Sequence, residues 1–110
     1  MSTDRAFVDY VLEQLASREM RANPMFGEYG LYCQDKIIGL ICDSTLFIKP
    51  TDAGIAFAGR IARAEPYPGA KPALKISKAR LADVEWLERL IDITTAALPA
   101  PKPKRRKPSR

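Results

Sequence analysis

Three apolar runs, "YGLYC" (29–33), "KIIGLIC" (36–42) and "TLFIK" (45–49), stand only two residues apart in the chain. Parallel neighbours need a crossover of a dozen residues or more, so links this short permit only antiparallel pairing. The runs are rich in β-branched and aromatic residues, which suit a pleated surface. Gln34-Asp35 or Asp35-Lys36 makes the first turn and Asp43-Ser44 the second. The segment therefore reads as a three-stranded meander. In its third strand Leu46 and Ile48 point one way, and Thr45, Phe47 and Lys49 the other. The middle strand is apolar on both sides, as a strand covered on both faces should be.

Around the meander the pattern is helical. Residues 3–19 place Phe7, Val8, Val11, Leu12 and Leu15 on one stripe, with Asp4 or Thr3 as the cap. Residues 20–27 read as a break, because Pro24 cannot continue a helix. A second helix is expected over 52–63, capped by Thr51 or Asp52, although Gly54 and Gly59 disfavour it. Three prolines and a glycine make 65–72 a loop with room for a short edge strand, and "PALKIS" (72–77) reads as a strand. Residues 78–98 carry Leu81, Val84, Trp86, Leu87, Leu90 and Ile91 near the helical period, closed by Pro99 and Pro101. This order predicts an α+β domain with one antiparallel sheet and its helices mainly on one face.

A chain of 110 residues has room for one such domain, and no run approaches the roughly 20 apolar residues of a membrane span. The start, "MSTDRAFVDY", lacks a basic segment followed by an apolar block, so a cytoplasmic location is expected. Cys33 and Cys42 fall out of register in the meander, which predicts two reduced, structural thiols. The net charge of +5 is unevenly placed. Residues 1–100 hold 12 basic and 13 acidic groups, a net of −1, while "PKPKRRKPSR" holds six basic groups and no acid. We therefore divide the chain into a domain over 1–98 and a basic tail over 99–110.

The residues offer no familiar active site. Histidine, the commonest general base and metal ligand, is absent, and there is no zinc spacing of cysteines and no phosphate-binding glycine loop. We expect no cofactor, no metal and no catalytic residues. Asp35 and Asp43 bracket the middle strand as turn residues. Phe26, Tyr29 and Tyr32 could stack nucleotides. No cation lies between Arg21 and Lys36, however, and filling the corner between first helix and sheet is the favoured reading. The proline-interrupted tail cannot fold, but Lys102, Lys104, Arg105, Arg106, Lys107 and Arg110 can contact phosphates without reading sequence. DNA or another polyanion is thus the expected partner of the tail. The alternative is a homodimeric protein-interaction module with no nucleic-acid role, using the sheet or an exposed edge strand.

The block "MFGEYGLYCQDKIIGLICDSTLFIKPTD" resembles the N-terminal domain of the TfoX/Sxy family. The matching residues are Arg21, Met25, Phe26, Gly27, Tyr29, Gly30, Leu31, Tyr32, Lys36, Gly39, Leu46, Phe47, Lys49 and Asp52. Pro66-Tyr67 and the Trp86 helix extend the likeness over roughly 3–98. The resemblance implies an α-β(3)-α-β(2)-α, secretion-chaperone-like fold and a regulatory role, since named members promote expression of DNA-uptake genes in competence. Those regulators carry a second, helical domain where this chain has its basic tail. Met25, Phe26, Gly27, Gly30, Tyr32 and Lys49 are mostly glycines and apolar residues, so the signature reads as fold maintenance.

Overall fold

A computed structural model describes residues 3–25 and 28–99. The elements run α1 (Arg5–Gln14), β1 (Met20–Met25), β2 (Glu28–Cys33), β3 (Lys36–Cys42), β4 (Thr45–Ile48), α2 (Asp52–Ala58), β5 (Arg63–Ala64), β6 (Ala73–Ile76), α3 (Lys78–Ala82) and α4 (Val84–Ala97). All strands join one antiparallel sheet in the order β1-β2-β3-β4-β6-β5. The α+β class is as the patterning predicts.

The meander is present with its tight turns. Gln34 and Asp35 have φ of 52° and 66°, and Asp43 and Ser44 have φ of 52° and 51°. Positive φ at both central residues matches the twist of the flanking strands. The first turn is therefore Gln34-Asp35, and Lys36 already belongs to β3.

Three expectations need correction. Residues 20–25 form a strand, so four strands rather than three precede α2. Pro24 is compatible because β1 is an edge strand, where some N–H groups have no partner to lose. The last helix is two helices. Asp83 closes α3, and its carboxylate accepts from Trp86 N at 3.3 Å to open α4, so the side chain replaces a turn of continuous helix. The first two helices are also shorter than 3–19 and 52–63. Past Gln14 the chain turns through Ser17 and Arg18 into β1, and α2 stops where Gly59 takes φ 67°.

The caps show why the helices start where they do. Asp4, not Thr3, caps α1 by accepting from Ala6 N at 3.1 Å. Thr51 Oγ1 accepts from Gly54 N at 2.9 Å and opens α2. Thr3 has a different task. Its N–H and hydroxyl bond the Glu28 carboxylate, which also accepts from Asp43 N at 3.2 Å. The approach to α1 is thus tied to the β3–β4 turn.

Core packing defines the two sides of the sheet. Val8, Val11 and Leu15 of α1, Leu81 of α3, and Leu87, Leu90 and Ile91 of α4 meet Leu31, Ile38, Ile41, Leu46, Ile48, Leu74 and Ile76. The described helices contribute to this one core, on one face. A bulge adjusts the pairing. Leu31 faces Gly39 but Tyr32 faces Ile37, which leaves Ile38 as the extra residue of β3. Both Ile38 and Ile41 consequently reach the core.

Candidate functional site

The opposite face of the sheet is where the structure leaves apolar surface open. Side chains alternate along a strand, so pairing partners share a face. Gly30–Leu40–Phe47–Lys75 and Cys42–Thr45 are the rows pointing away from the helices. Cys42, Phe47 and Ala73 form a second small apolar cluster there, with Leu40 and Ala64 against it. Above this floor lies a cleft of about 1100 Å³. Met25 of β1 lines one side, and Pro66, Tyr67, Pro68 and Pro72 of the loop before β6 line the other. Tyr67 is 55% exposed, a large aromatic held at the rim.

Small residues shape the floor. A Cβ on Gly30 would meet Met25 Cε at 3.1 Å, Tyr32 Cε1 at 3.2 Å and Ile37 Cδ1 at 3.3 Å. Gly30 therefore lets these three side chains close over β2. A Cβ on Gly39 would lie 2.2 Å from the Phe47 carbonyl oxygen, so only glycine lets β3 and β4 approach this closely at the bulge.

Charge is distributed by end. Glu28 and Asp43 line the cleft where β2 starts and β3 finishes. Lys49, which follows β4, and Lys71, two residues before β6, line the other end. Burial in this apolar face, with Glu28 and Asp43 nearby, raises the pKa of the Cys42 thiol, which is therefore a poor nucleophile at neutral pH.

Several predicted residues fall elsewhere. Tyr29 packs on the main core as expected, but Tyr32 lies on the other face with the Arg21 guanidinium 4.6 Å from its ring centroid. Arg5 lies 5.9 Å from the Tyr29 ring. The cations missing between Arg21 and Lys36 in sequence are thus supplied by β1 and α1. The apposition of Arg21 and Tyr32 follows from the β1–β2 register, which a reading of 20–27 as a break could not reveal. Met25 packs above Gly30 on the second face, and Gly30 lies inside β2, within the strand that the run 29–33 predicts. Phe26, Gly27 and the six cations Lys102, Lys104, Arg105, Arg106, Lys107 and Arg110 lie outside the described residues.

Arg21, Tyr29, Lys49 and Asp52 do not converge on a polar pocket. Arg21 pairs with Asp35 at 3.1 Å, Tyr29 and Lys49 line the cleft from different strands, and Asp52 is exposed in the first turn of α2. Cys33 and Cys42 are free and buried. Among the described residues no group of three or more Cys, Asp or Glu could hold a metal ion, and no helix is long and apolar enough to cross a membrane.

Comparison with known proteins agrees with the signature read from the sequence. A protein of Spirochaeta aurantia, described as an uncharacterized 12.7 kDa protein in the trpE 5' region, is 39% identical over 108 residues. The match covers 97% of this chain and 93% of that protein. Residues 12–98, most of the chain, match the TfoX N-terminal domain. The chain belongs to the TfoX N-terminal domain family.

Proposed function

We propose that this chain is a non-enzymatic, regulatory contact module. It docks another macromolecule on the open face of its sheet and attaches to DNA or another polyanion through its cationic tail. The observation that carries the reading is the apolar cleft itself: Met25, Ile37 and Leu40, all half-buried, line surface that the helices leave uncovered. Open apolar patches of this kind mark interaction sites more often than solvated surface. The TfoX N-terminal family is not a known enzyme family, and the reading of a role in transcriptional regulation is drawn from resemblance to the competence regulators. A cytoplasmic setting suits a partner of this kind.

The tail supplies the second contact. Lys102, Lys104, Arg105, Arg106, Lys107 and Arg110 follow a body with a net of −1, so attraction to a polyanion is concentrated at one end. Full-length protein and a chain ending at Pro99 are compared for binding to duplex DNA over a salt series. Full-length protein should bind with an affinity that falls as salt rises, with about one ion released per phosphate neutralised. The shortened chain should lose most of that affinity. Equal binding by the two would remove the tail from the reading.

A homodimer is the second reading, favoured by β1, whose outer edge has no neighbouring strand among the described residues. Sedimentation equilibrium at high micromolar concentration distinguishes it, since a monomer under those conditions excludes that dimer.

A further inference from the structure

We infer that the cleft on the open face takes a short amphipathic α-helix of another protein, laid with its N-terminal end at Glu28 and Asp43 and its C-terminal end at Lys49 and Lys71. This inference rests on the proposed docking role of the open face and is independent of the tail.

Size selects a helix. From Ile37 to Cys42 the floor runs about 17 Å along β3, at roughly 3.3 Å per residue. From β1 to β6 there are four interstrand gaps, about 19 Å in all at about 4.8 Å each. A helix of about 11 residues is about 17 Å long and at least 10 Å across, a cylinder of about 1300 Å³. The cleft holds about 1100 Å³, so a helix of three turns fills it when most of its cross-section is sunk below the rim. That volume exceeds the roughly 300–1000 Å³ of ordinary small-ligand sites.

Shape and charge exclude the nearer occupants. A second copy would present the same concavity, and two concave faces enclose a void rather than pack. Residues 100–110, "APKPKRRKPSR", follow Leu98 at the rim but have no large apolar side chain to bury, and their cations would meet Lys49 and Lys71. An amphipathic helix has an apolar stripe to cover Ile37 and Leu40, which stay half-buried on the floor. Its aligned peptide groups make the N-terminus positive and the C-terminus negative. With acids at one end of the cleft and lysines at the other, one orientation is attractive at both ends and the reverse is repulsive at both.

The probes are two fluorescent 15-residue peptides of identical composition with the same Leu/Ala stripe. One has Lys in its first turn and Glu in its last; its isomer has the charges exchanged. The isomer is the better isolated helix, because its charges suit its own dipole. A preference for the Lys-first peptide therefore cannot come from helicity. Full-length protein should bind the Lys-first peptide about tenfold or more tighter at low salt, narrowing as salt rises. The exposed pair Lys49→Glu and Lys71→Glu, which leaves the core untouched, should abolish or invert that preference. Leu40→Glu should weaken both peptides. Equal affinity for the two isomers, an unchanged preference in the lysine variant, or no saturable binding would each overturn the inference. So would markedly tighter binding by a chain ending at Pro99, which would make the tail the occupant. DNA binding measured on the same protein reports the tail separately, so failure here leaves that part of the proposed function standing. Saturable binding without orientation preference would overturn this inference while leaving the docking face of the proposed function standing.

Discussion

Gly39→Ala tests the geometry on which both faces of the sheet depend. The added Cβ would lie 2.2 Å from the Phe47 carbonyl oxygen, with Ile48 Cα and Cδ1 both at 3.2 Å. Cβ contacts below 3.0 Å are essentially never seen, so the strands must part by at least about 0.8 Å. The obstacle is paired backbone and cannot swing aside as a side-chain end would. Overpacking of this kind costs about 1–3 kcal/mol. A weakened ladder bond beside it adds about 1 kcal/mol, so the expected loss is about 2–4 kcal/mol. For a domain of this size that lowers Tm by about 10–30 °C. Circular dichroism melts and urea titrations measure it. Gly30→Ala is the control. Its nearest neighbours, at 3.1 to 3.3 Å, are the ends of Met25, Tyr32 and Ile37, which can rotate, so the loss should stay near 1 kcal/mol or less. A Gly39→Ala protein within about 0.5 kcal/mol of the parent, or less affected than Gly30→Ala, would refute the bulge at Ile38 and the close approach of β3 to β4.

Further predictions concern single contacts. Lys36 Nζ donates to Thr95 O at 2.8 Å and Leu98 O at 2.9 Å, closing the carboxyl end of α4. Lys36→Met should therefore cost about 1–3 kcal/mol in urea titrations, with hydrogen exchange rising first in the last turn of α4. Arg18 grips Asp92 through two bonds of 2.7 and 2.8 Å and holds its carboxyl below the usual value. A depressed carboxylate stabilises the fold above its unfolded pKa of about 3.9 and loses that contribution as pH falls through the folded value. The stability gap between the parent and Asp92→Asn should thus be constant above about pH 5 and shrink in acid. Cys42 has the opposite sign. Its raised pKa favours the neutral thiol, so its contribution is full below the unfolded thiol pKa and lost as pH rises through the folded one. Iodoacetamide should label it slowly at neutral pH and faster in alkali, and the Lys-first peptide should slow it further, because Cys42 lines the cleft.

Elements with a local cause were legible. The two-residue links at 34–35 and 43–44 left antiparallel pairing as the sole solution, and both turns adopt the positive φ that such links need. The stripes Val8-Val11-Leu15 and Leu87-Leu90-Ile91 are buried as their spacing requires. What was missed depends on partners far along the chain. Nothing local makes "MRANPM" a strand; it becomes one because β2 offers a free edge and because Met20 and Ala22 pack on the core below. Asp83 could equally sit within a helix or cap one, and the observed cap at Trp86 decides between them.

The cleft was hidden for the same reason, and this changes what the signature residues mean. Once β1 pairs with β2, alternation sends neighbouring signature positions to opposite sides. Leu31 and Leu46 enter the main core, while Met25, Phe47 and Lys49 line the cleft. Read along the chain, a motif of glycines and apolar residues looks like fold maintenance throughout. Folded, it specifies one face that the helices cover and another that they leave open. Core packing requires only the first. The second needs Gly30 to admit Met25 over β2 and needs charges of opposite sign at its two ends, and no packing requirement of the core places Lys49 and Lys71 opposite Glu28 and Asp43. A face with apolar floor and ordered charge is what a directional partner would select, so on the proposed reading the binding surface falls on the signature residues that a core reading leaves unexplained.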